Sequence, residues 1–502
     1  MDAQALLQQF AGMQPGGAPA LGGSAGGSLD QLGDLKKALE ASNYQTDVAT
    51  LTGGGALGVQ SLDTAMKTTI QENDHFTLFN RLASTNATNI VDEYSRQTNV
   101  GGFLGGAFNS QMGVVRSAQG EYSREVGMVK FLMTLRQVGY VLTVGKNIAE
   151  PVALEERNGA LQLLTDANYS LYHGNADASP VQFDGIFNQI EKEVLAGNMS
   201  GDNIVDLDGG TLVDVDPFSR INTAASRYGS WGKSTDVFLP NSVQVDLNKN
   251  LDPAYRWSPA GGNTPVLGGH VEGIRITSGI LKTNLDTFIQ DEENPMVYPF
   301  EVHNAAIAVS NAAIKPAGVT VDASASDASS KFSATRAGNY YYAVAAIDGT
   351  GKGLSEVVKS TQTAVAAGKK AVLTITASAS GSETGYAIYR SRQDGTNGTS
   401  DLRLVRVIKK TGATTTYTDL NRDIPGTVMV PVLNLATGAD AIGWRQFQPM
   451  TKIPLPFGIG GVPQYSWFQF LFGYLRVTKP KHHGFIKNIL PSGARWRPHT
   501  GE

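Results

Sequence analysis

The chain has 502 residues, contains no cysteine, and carries 41 basic against 45 acidic side chains, which gives a net charge of −4. These counts exclude disulfides and thiolate metal sites, and they argue against a dedicated nucleic-acid-binding protein. Charged residues make up only 17% of the chain, while glycine occurs 57 times. This composition suits a protein whose surface is largely covered by copies of itself.

The N-terminal segment is predicted to be a tether followed by amphipathic helices. Residues 11–27 are rich in glycine, alanine and proline and are not suited to packing a core. Leucines at helical spacing predict a helix from Ser28, and a second helix is predicted from Ser61 that resumes after a break and reaches Leu82. The opening MDAQALLQQF lacks a basic region, so we expect no secretory signal, and we expect no membrane association.

A glycine pattern lies between these two helices. Gly53, Gly55 and Gly58 satisfy G-x-G-x-x-G, which binds a dinucleotide only between a buried strand and a helix. The preceding TDVATLT is too polar for a central strand. We therefore interpret the segment as a glycine loop and expect no cofactor.

Residues 91–145 predict a glycine-rich excursion that returns as a long strand. Side chains alternate with period two from Met128 to Gln137. A two-stranded loop of this kind has little core of its own, so we expect it to need a partner surface.

The clearest helix is predicted for residues 151–173. Pro151 suits the first turn, Glu155 and Glu156 suit the positive helix end, and Gly174 is a natural terminator. The predicted apolar side consists of Leu154, Leu161, Leu164, Leu171, Ala153, Ala160 and Ala167.

Neither the aspartates of residues 202–216 nor the seven histidines match a metal site. A calcium loop starting at Asp206 would place Gly210 and Pro217 at its fifth and twelfth positions, where oxygen ligands are required. We interpret 202–216 as a solvated acidic turn. The histidines lack the spacing of zinc ligands, and the adjacent His482 and His483 are predicted to point to opposite faces of a strand. We expect no metal, no catalytic residue and no enzymatic activity.

Residues 315–423 are predicted to form an inserted all-β module. Strand-length runs alternate with turn signals at intervals of about ten residues, as in a β-sandwich. In NYYYAVAAIDGTGKGLSE (339–356) successive side chains alternate between two faces, and GYAIYRS and TTTYTD resemble motifs of fibronectin type III repeats. The tyrosine-rich strand comes earlier than in that family, so we interpret the module as an immunoglobulin-like sandwich. Residues 301–311 and 427–435 are predicted to be its flanking strands.

Segments along the chain resemble, in order, the major capsid proteins of tailed bacteriophages of the Hong Kong 97 type. They are GGGALGVQSLDTAMKTTIQENDHFTLFNRLASTNATNIVDEYSRQ (53–96), LLTDANYSLYHGNADASPVQFDGI (163–186), NIVDLDGGTL (203–212) and DVFLPNSVQVDL (236–247). The resemblance covers residues 53–300 and, more loosely, 425–490.

The resemblance implies an α+β fold of the Hong Kong 97 type with an inserted sandwich. Its parts would be an N-terminal arm (1–90), an extended loop that lies over a neighbouring subunit (91–145), peripheral and axial domains with 151–173 as the spine helix (146–314), the inserted immunoglobulin-like module (315–423), and a return to the capsid core with a C-terminal strand (424–502). The module is expected on the outer face of the shell.

The function implied is that of a major capsid (head) protein that assembles through hexamers and pentamers into an icosahedral shell around phage DNA. The implied partners are further copies of the chain, a portal, scaffold or decoration proteins, and packaged DNA in non-specific contact. The implied locations are the virion and, during assembly, the host cytoplasm. Two alternatives stay open: a secreted adhesive or carbohydrate-binding protein with a fibronectin-like module, and a phage tail structural protein.

The last thirty residues carry six cations against one acid. The cations are Arg476, Lys479, Lys481, Lys487, Arg495 and Arg497. They suit contact with DNA phosphates or pairing with acidic arms of neighbouring copies. We favour the second interpretation, because the segment also carries apolar side chains of the kind found at interfaces.

Overall fold

The computed structural model describes residues 75–145, 150–249, 272–292, 306, 311–349 and 353–499. The helices are α1 (Thr77–Arg81), α2 (Tyr140–Val144), α3 (Pro151–His173), α4 (Ile186–Leu195), α5 (Asp216–Ser226) and α6 (Asn241–Lys249). The strands are β1 (Ala83–Asn86), β2 (Val91–Asn99), β3 (Glu121–Met128), β4 (Lys130–Gly139), β5 (Ile204–Asp206), β6 (Asp236–Leu239), β7 (Gly273–Ile276), β8 (Gly279–Leu285), β9 (Gly318–Asp322), β10 (Gly338–Tyr340), β11 (Tyr342–Ile347), β12 (Val358–Lys359), β13 (Thr363–Val365), β14 (Ala371–Thr376), β15 (Gly385–Ser391), β16 (Leu402–Lys409), β17 (Thr414–Asp419), β18 (Val428–Leu433), β19 (Ile442–Pro454), β20 (Gln464–Val477) and β21 (Gly484–Ile489).

Several predicted segments lie outside the described residues. They are the tether, the helix from Ser28, the glycine loop at 53–58, the helix from Ser61 as far as residue 74, and most of the strand predicted for 301–311. At the start of the described residues, Phe76 and Leu82 are buried, as the apolar pattern indicates.

The first sheet has strand order β1-β19-β20-β4 and carries helix α3 on one face. The helix has the predicted bounds, with Pro151 in its first turn and Gly174 at its C-cap. Ala167 and Leu171 are buried as predicted, but Ala153 is exposed and Leu163 is buried instead.

The second sheet has strand order β5-β21-β18-β6-β8-β7 and mixes parallel with antiparallel pairs. The strand and short helix predicted within 236–247 are β6 and α6. A continuous cluster of buried apolar side chains includes Trp444 of the first sheet and Phe238 of the second. The two sheets therefore share one core, and we call the described residues outside 91–128 and 315–423 the body.

Strands β2 and β3 form a separate two-stranded antiparallel ribbon. The sequence predicts one long strand through residues 128–137, whereas the structure has two strands that meet at the buried Val129. The first belongs to the ribbon and the second pairs with β20 of the body. We call the ribbon and its connecting loop, residues 91–128, the hairpin.

All strands between β9 and β17 pair antiparallel within residues 318–419, in sheets of order β12-β11-β15-β16 and β17-β14-β9 and a β10-β13 pair. We call residues 315–423 the module. Tyr342 and Val344 pack against Leu373 of the facing sheet. The alternate side chains, among them Ala345, pack with Ala178 of the body. Strand β11 is therefore buried on both faces.

None of the helices in the described ranges combines the length and the apolar character that crossing a membrane requires.

Candidate functional site

Exposed apolar side chains concentrate on the hairpin. They are Val91, Val100, Phe103, Leu104, Phe108, Met112, Val114, Val115, Tyr122, Val126 and Met128. Phe108 and Met112, in the connecting loop, are 90% and 98% exposed. An exposed apolar surface of this extent indicates an interaction site.

The base of the hairpin is held rigidly to the body. Arg445 donates to both carboxylate oxygens of Asp92, at 2.8 and 2.9 Å, and the Tyr474 hydroxyl donates to the same carboxylate at 2.6 Å. Burial alone would raise the pKa of Asp92, but these hydrogen bonds and the nearby guanidinium charges lower it overall. Arg96 adds a bond to Glu193 of α4 at 2.9 Å. The hairpin therefore projects its apolar loop from a fixed base.

A second exposed apolar surface is one face of the first sheet, which we call the outer sheet face. Phe131, Met133 and Leu135 of β4 lie opposite Phe472, Phe470 and Phe468 of β20 in the strand register. The Phe131 and Phe472 rings meet edge to face, with centroids 5.0 Å apart. The three β4 side chains are 46%, 60% and 47% exposed. This row could pack against another apolar surface.

The opposite face of the sheet is covered by α3, and the contacts there correct one prediction. Glu155 and Glu156 lie beyond the first turn of α3, where the helix dipole has little effect. They pair instead with sheet cations: Glu155 with Arg136 at 3.1 Å and Glu156 with Lys452 at 2.7 Å. These carboxylates therefore fasten the helix to the sheet.

The module has a different surface. Among its described residues, no large apolar side chain is exposed. Its apolar side chains are instead divided between its own core and the contact with the body. The module thus has a solvent-adapted surface, in contrast to the hairpin and the outer sheet face.

The acidic turn at 202–216 is not simply solvated, which corrects its interpretation from sequence. Asp206 pairs with Lys331 of the module at 2.7 Å, and Asp208 pairs with Arg336 at 2.8 Å. The backbone of Asp208 has a φ of 55°, a conformation that aspartate tolerates better than most residues. The turn is a contact between body and module.

Two cations of the basic tail pair within their own chain. Arg476 lies 3.4 Å from Asp92 and stacks over the Tyr94 ring, and Lys487 lies 3.1 Å from Asp423. For these two residues, the structure gives intrachain partners where the sequence predicts DNA or a neighbouring copy.

His482 and His483 precede strand β21 and do not point to opposite faces of a strand. Both rings contact Asn434: its backbone N–H donates to His483 Nδ1 at 3.1 Å, and its side-chain amide lies 3.3 Å from His482 Nδ1. Burial lowers the pKa of His483 to about 3, which keeps the ring neutral at pH 7. Across the described ranges, no three histidine, aspartate or glutamate side chains are grouped as metal ligands.

Sequence reasoning missed the outer sheet face. The signal was present, because Phe468, Phe470 and Phe472 alternate with period two in SWFQFLF (466–472). Their partners on β4 lie within the alternation predicted for residues 128–137, but the sequence does not indicate which of the two faces α3 covers.

No protein-family model and no curated protein matches the chain. Among solved structures, it is similar to the capsid of the native GTA particle, at 8% identity and a TM-score of 0.46, over 88% of this chain and 99% of that chain. It is similar to the capsid of the cyanophage P-SCSP1u at 8% identity and a TM-score of 0.42, over 88% and 96%. It is also similar to the holo-SrpI encapsulin complex from Synechococcus elongatus PCC 7942, at 8% identity and a TM-score of 0.36, over 92% and 100%.

Proposed function

We propose that this chain is the major capsid (head) protein of a tailed bacteriophage and that it self-assembles into the icosahedral shell that encloses phage DNA. The observation that carries the proposal is the placement of the exposed apolar surface. It lies on the hairpin, on the outer sheet face and at further positions of the body such as Val141 and Trp231, while the described part of the module exposes no large apolar side chain. Such a division suits a subunit that covers some surfaces with its neighbours and leaves another in solvent.

The proposed parts of the subunit follow the sequence resemblance. They are an N-terminal arm (1–90), an extended loop (91–145), peripheral and axial domains (146–314), an inserted immunoglobulin-like sandwich (315–423), and a return to the capsid core (424–502). The antiparallel pairing of β9 to β17 supports the sandwich. We place it on the outer face of the shell, where its polar surface would meet solvent.

Assembly is the proposed mechanism. Bringing two subunits together costs roughly 4–15 kcal/mol in lost freedom of motion. Burying one large apolar side chain recovers roughly 1.5–3 kcal/mol. A contact must therefore bury several such side chains, and the hairpin alone exposes eleven. In hexamers and pentamers the same contact would be repeated around the ring. Each subunit would then place its hairpin on one neighbour and be contacted by the hairpin of the other neighbour.

The proposed partners are other copies of the chain, a portal, scaffold or decoration proteins, and packaged DNA in non-specific contact. The proposed locations are the virion and, during assembly, the host cytoplasm. The function is structural and involves no catalysis.

Light scattering coupled to size-exclusion chromatography tests the role of the hairpin. The double variant Phe108→Ser with Met112→Ser is expected to give much smaller particles than the wild type. Leu195→Ser is the matched control, because Leu195 is 81% exposed but lies outside both apolar surfaces, and it is expected to behave like the wild type. Equal particle masses for all three proteins would contradict the proposal.

A further inference from the structure

The module and the rest of the chain carry opposite net charges. Residues 315–423 contain 14 basic and 9 acidic side chains, a net charge of +5. The remaining residues contain 27 basic and 36 acidic side chains, a net charge of −9. The described residues outside 315–423 contain 22 basic and 24 acidic side chains, so the attraction between module and body comes from the individual charges at their contact.

The opposite charges meet at the contact between the two parts. In addition to the pairs at Asp206 and Asp208, Arg406 of the module donates to Glu191 at 2.7 Å, and Arg403 donates to Glu292 at 2.7 Å. Both Arg403 and Glu292 have side chains only 11% exposed. Pairs shielded in this way are less weakened by salt than surface pairs, so they keep the module attached to the body.

The C-terminal segment, residues 491–499, adds to the same contact between module and body. Trp496 Nε1 donates to the carbonyl oxygen of Asp401 at 3.2 Å and to its carboxylate at 3.1 Å. The guanidinium of Arg403 lies over the Trp496 ring, 5.1 Å from its centroid. Gly426, at a φ of +71°, lets this ring approach, since a Cβ there would lie 2.6 Å from it.

The last described residues continue this contact. The Gln393 N–H donates to the Pro498 carbonyl oxygen at 2.8 Å, and the Tyr340 hydroxyl lies 3.5 Å from His499 Nδ1. Trp496 and His499 are only 5% and 3% exposed. Residues 491–499 therefore pack against the module rather than extending into solvent.

We propose that residues 491–499 act as a clasp that holds the module against the body in one orientation. The module's own core, formed by Tyr342, Val344, Leu373 and their neighbours, contains no clasp residue. Opening the clasp therefore leaves the module folded and held only by the ion pairs and the apolar contact at Ala178, which allow it a wider range of orientations.

Distance measurement between two spin labels tests the clasp, and the absence of native cysteine makes labelling specific. Ala379→Cys places one label on the module and Leu195→Cys places the other on the body, both at exposed positions. The full-length labelled chain is diluted with unlabelled chain, so that only distances within one subunit are recorded. The intact clasp is expected to give one narrow distance peak, and Trp496→Ala is expected to broaden it at least twofold.

Arg495→Ala is the matched control, because Arg495 adjoins Trp496 but is exposed, and it should keep the narrow peak. A second pair of labels at Leu195→Cys and Ala436→Cys lies within the body and should stay narrow in every variant. If Trp496→Ala reduces the yield of folded protein, Trp496→Phe keeps the ring, removes the Nε1–H donor and should give intermediate broadening. A narrow peak in both Trp496 variants, or equal broadening within the body, would overturn the proposal.

Discussion

Asn488 binds the backbone at the point where the chain leaves the module and re-enters the body. Its side-chain amide donates to Asp206 at 2.7 Å and to the Arg422 carbonyl oxygen at 2.8 Å, and its Oδ1 accepts from the Ile424 N–H at 3.0 Å. Its φ of 57° is a left-handed conformation that asparagine tolerates better than most residues. One side chain thus joins its own segment to residue 206 and to residues 422–424.

We expect Asn488→Ala to lower the free energy of unfolding by about 3 kcal/mol, because three hydrogen bonds are lost and alanine is strained at this φ. Asn488→Gly also loses the bonds but accepts the backbone conformation, so it should cost less than alanine. Denaturant titration followed by tryptophan fluorescence measures both. An alanine variant as stable as the wild type would show that these bonds do not matter.

His483 gives the protein a pH-dependent stability. Its folded pKa is lowered to about 3 by burial, whereas an unfolded histidine has a pKa of about 6.5. Between these values the unfolded state binds one more proton than the folded state. This histidine therefore costs no stability above pH 6.5, and the free energy of unfolding falls as the pH drops below that value. The slope is about 1.4 kcal/mol per pH unit per histidine.

His173, with a pKa lowered by burial to about 4, and His499, with one lowered by burial and by nearby arginine charges to about 3, add to this slope. We expect His483→Asn to reduce the slope of the unfolding free energy between pH 6 and 5 by about 1.4 kcal/mol per pH unit. The reason is that asparagine does not titrate, while its Oδ1 can still accept the Asn434 N–H. Unfolding titrations at several pH values measure it. An unchanged slope in the variant would contradict the assignment.

At the scale of the elements, Gly159 sets how closely α3 approaches the first sheet. A Cβ at this position would lie 1.7 Å from the Gln469 side-chain oxygen, far inside contact distance. In an isolated helix, replacing glycine by alanine stabilises by about 1 kcal/mol. Here the overpacking is expected to outweigh that gain.

Gly159→Ala should therefore destabilise the protein by about 1–3 kcal/mol. The control is Ala153→Gly, at an exposed position of the same helix, which should cost about 1 kcal/mol from propensity alone. Calorimetric melting of both variants measures the difference. A more stable Gly159→Ala variant would mean that Gln469 moves aside easily.

The elements differ in how well sequence predicts them. Both ends of α3 could be predicted, because Pro151 and Gly174 are local signals. The break at Val129 could not, because the alternation continues through it and only the change of partner from β2 to β20 separates the two strands. Tertiary pairing decides such boundaries.

At the scale of the whole molecule, the contact between module and body had no sequence signal. Asp206 and Lys331 are 125 residues apart in the chain, and Asp208 and Arg336 are 128 apart. The aspartates look like a solvated turn until the fold brings the cations to them. Likewise, the alternation of β11 indicates two faces but not that the body covers the second one.

Replacing residues 316–422 by a short Gly/Ser linker is expected to leave shells that still close, because the hairpin and the outer sheet face remain. The shells should melt at a lower temperature, since Asp206, Asp208 and Trp496 lose their partners. Electron microscopy and calorimetry of purified shells measure the two effects. Adding Asp208→Asn to the deletion removes one unpaired charge and should recover part of the loss. Complete failure to assemble would place the module within the capsid core.

Electron cryomicroscopy of the purified full-length protein tests the central claim most directly. We predict closed icosahedral shells in which the loop of residues 100–120 lies over a neighbouring subunit and the module faces outward. Rods, open sheets or only monomers under conditions that favour assembly would contradict the account.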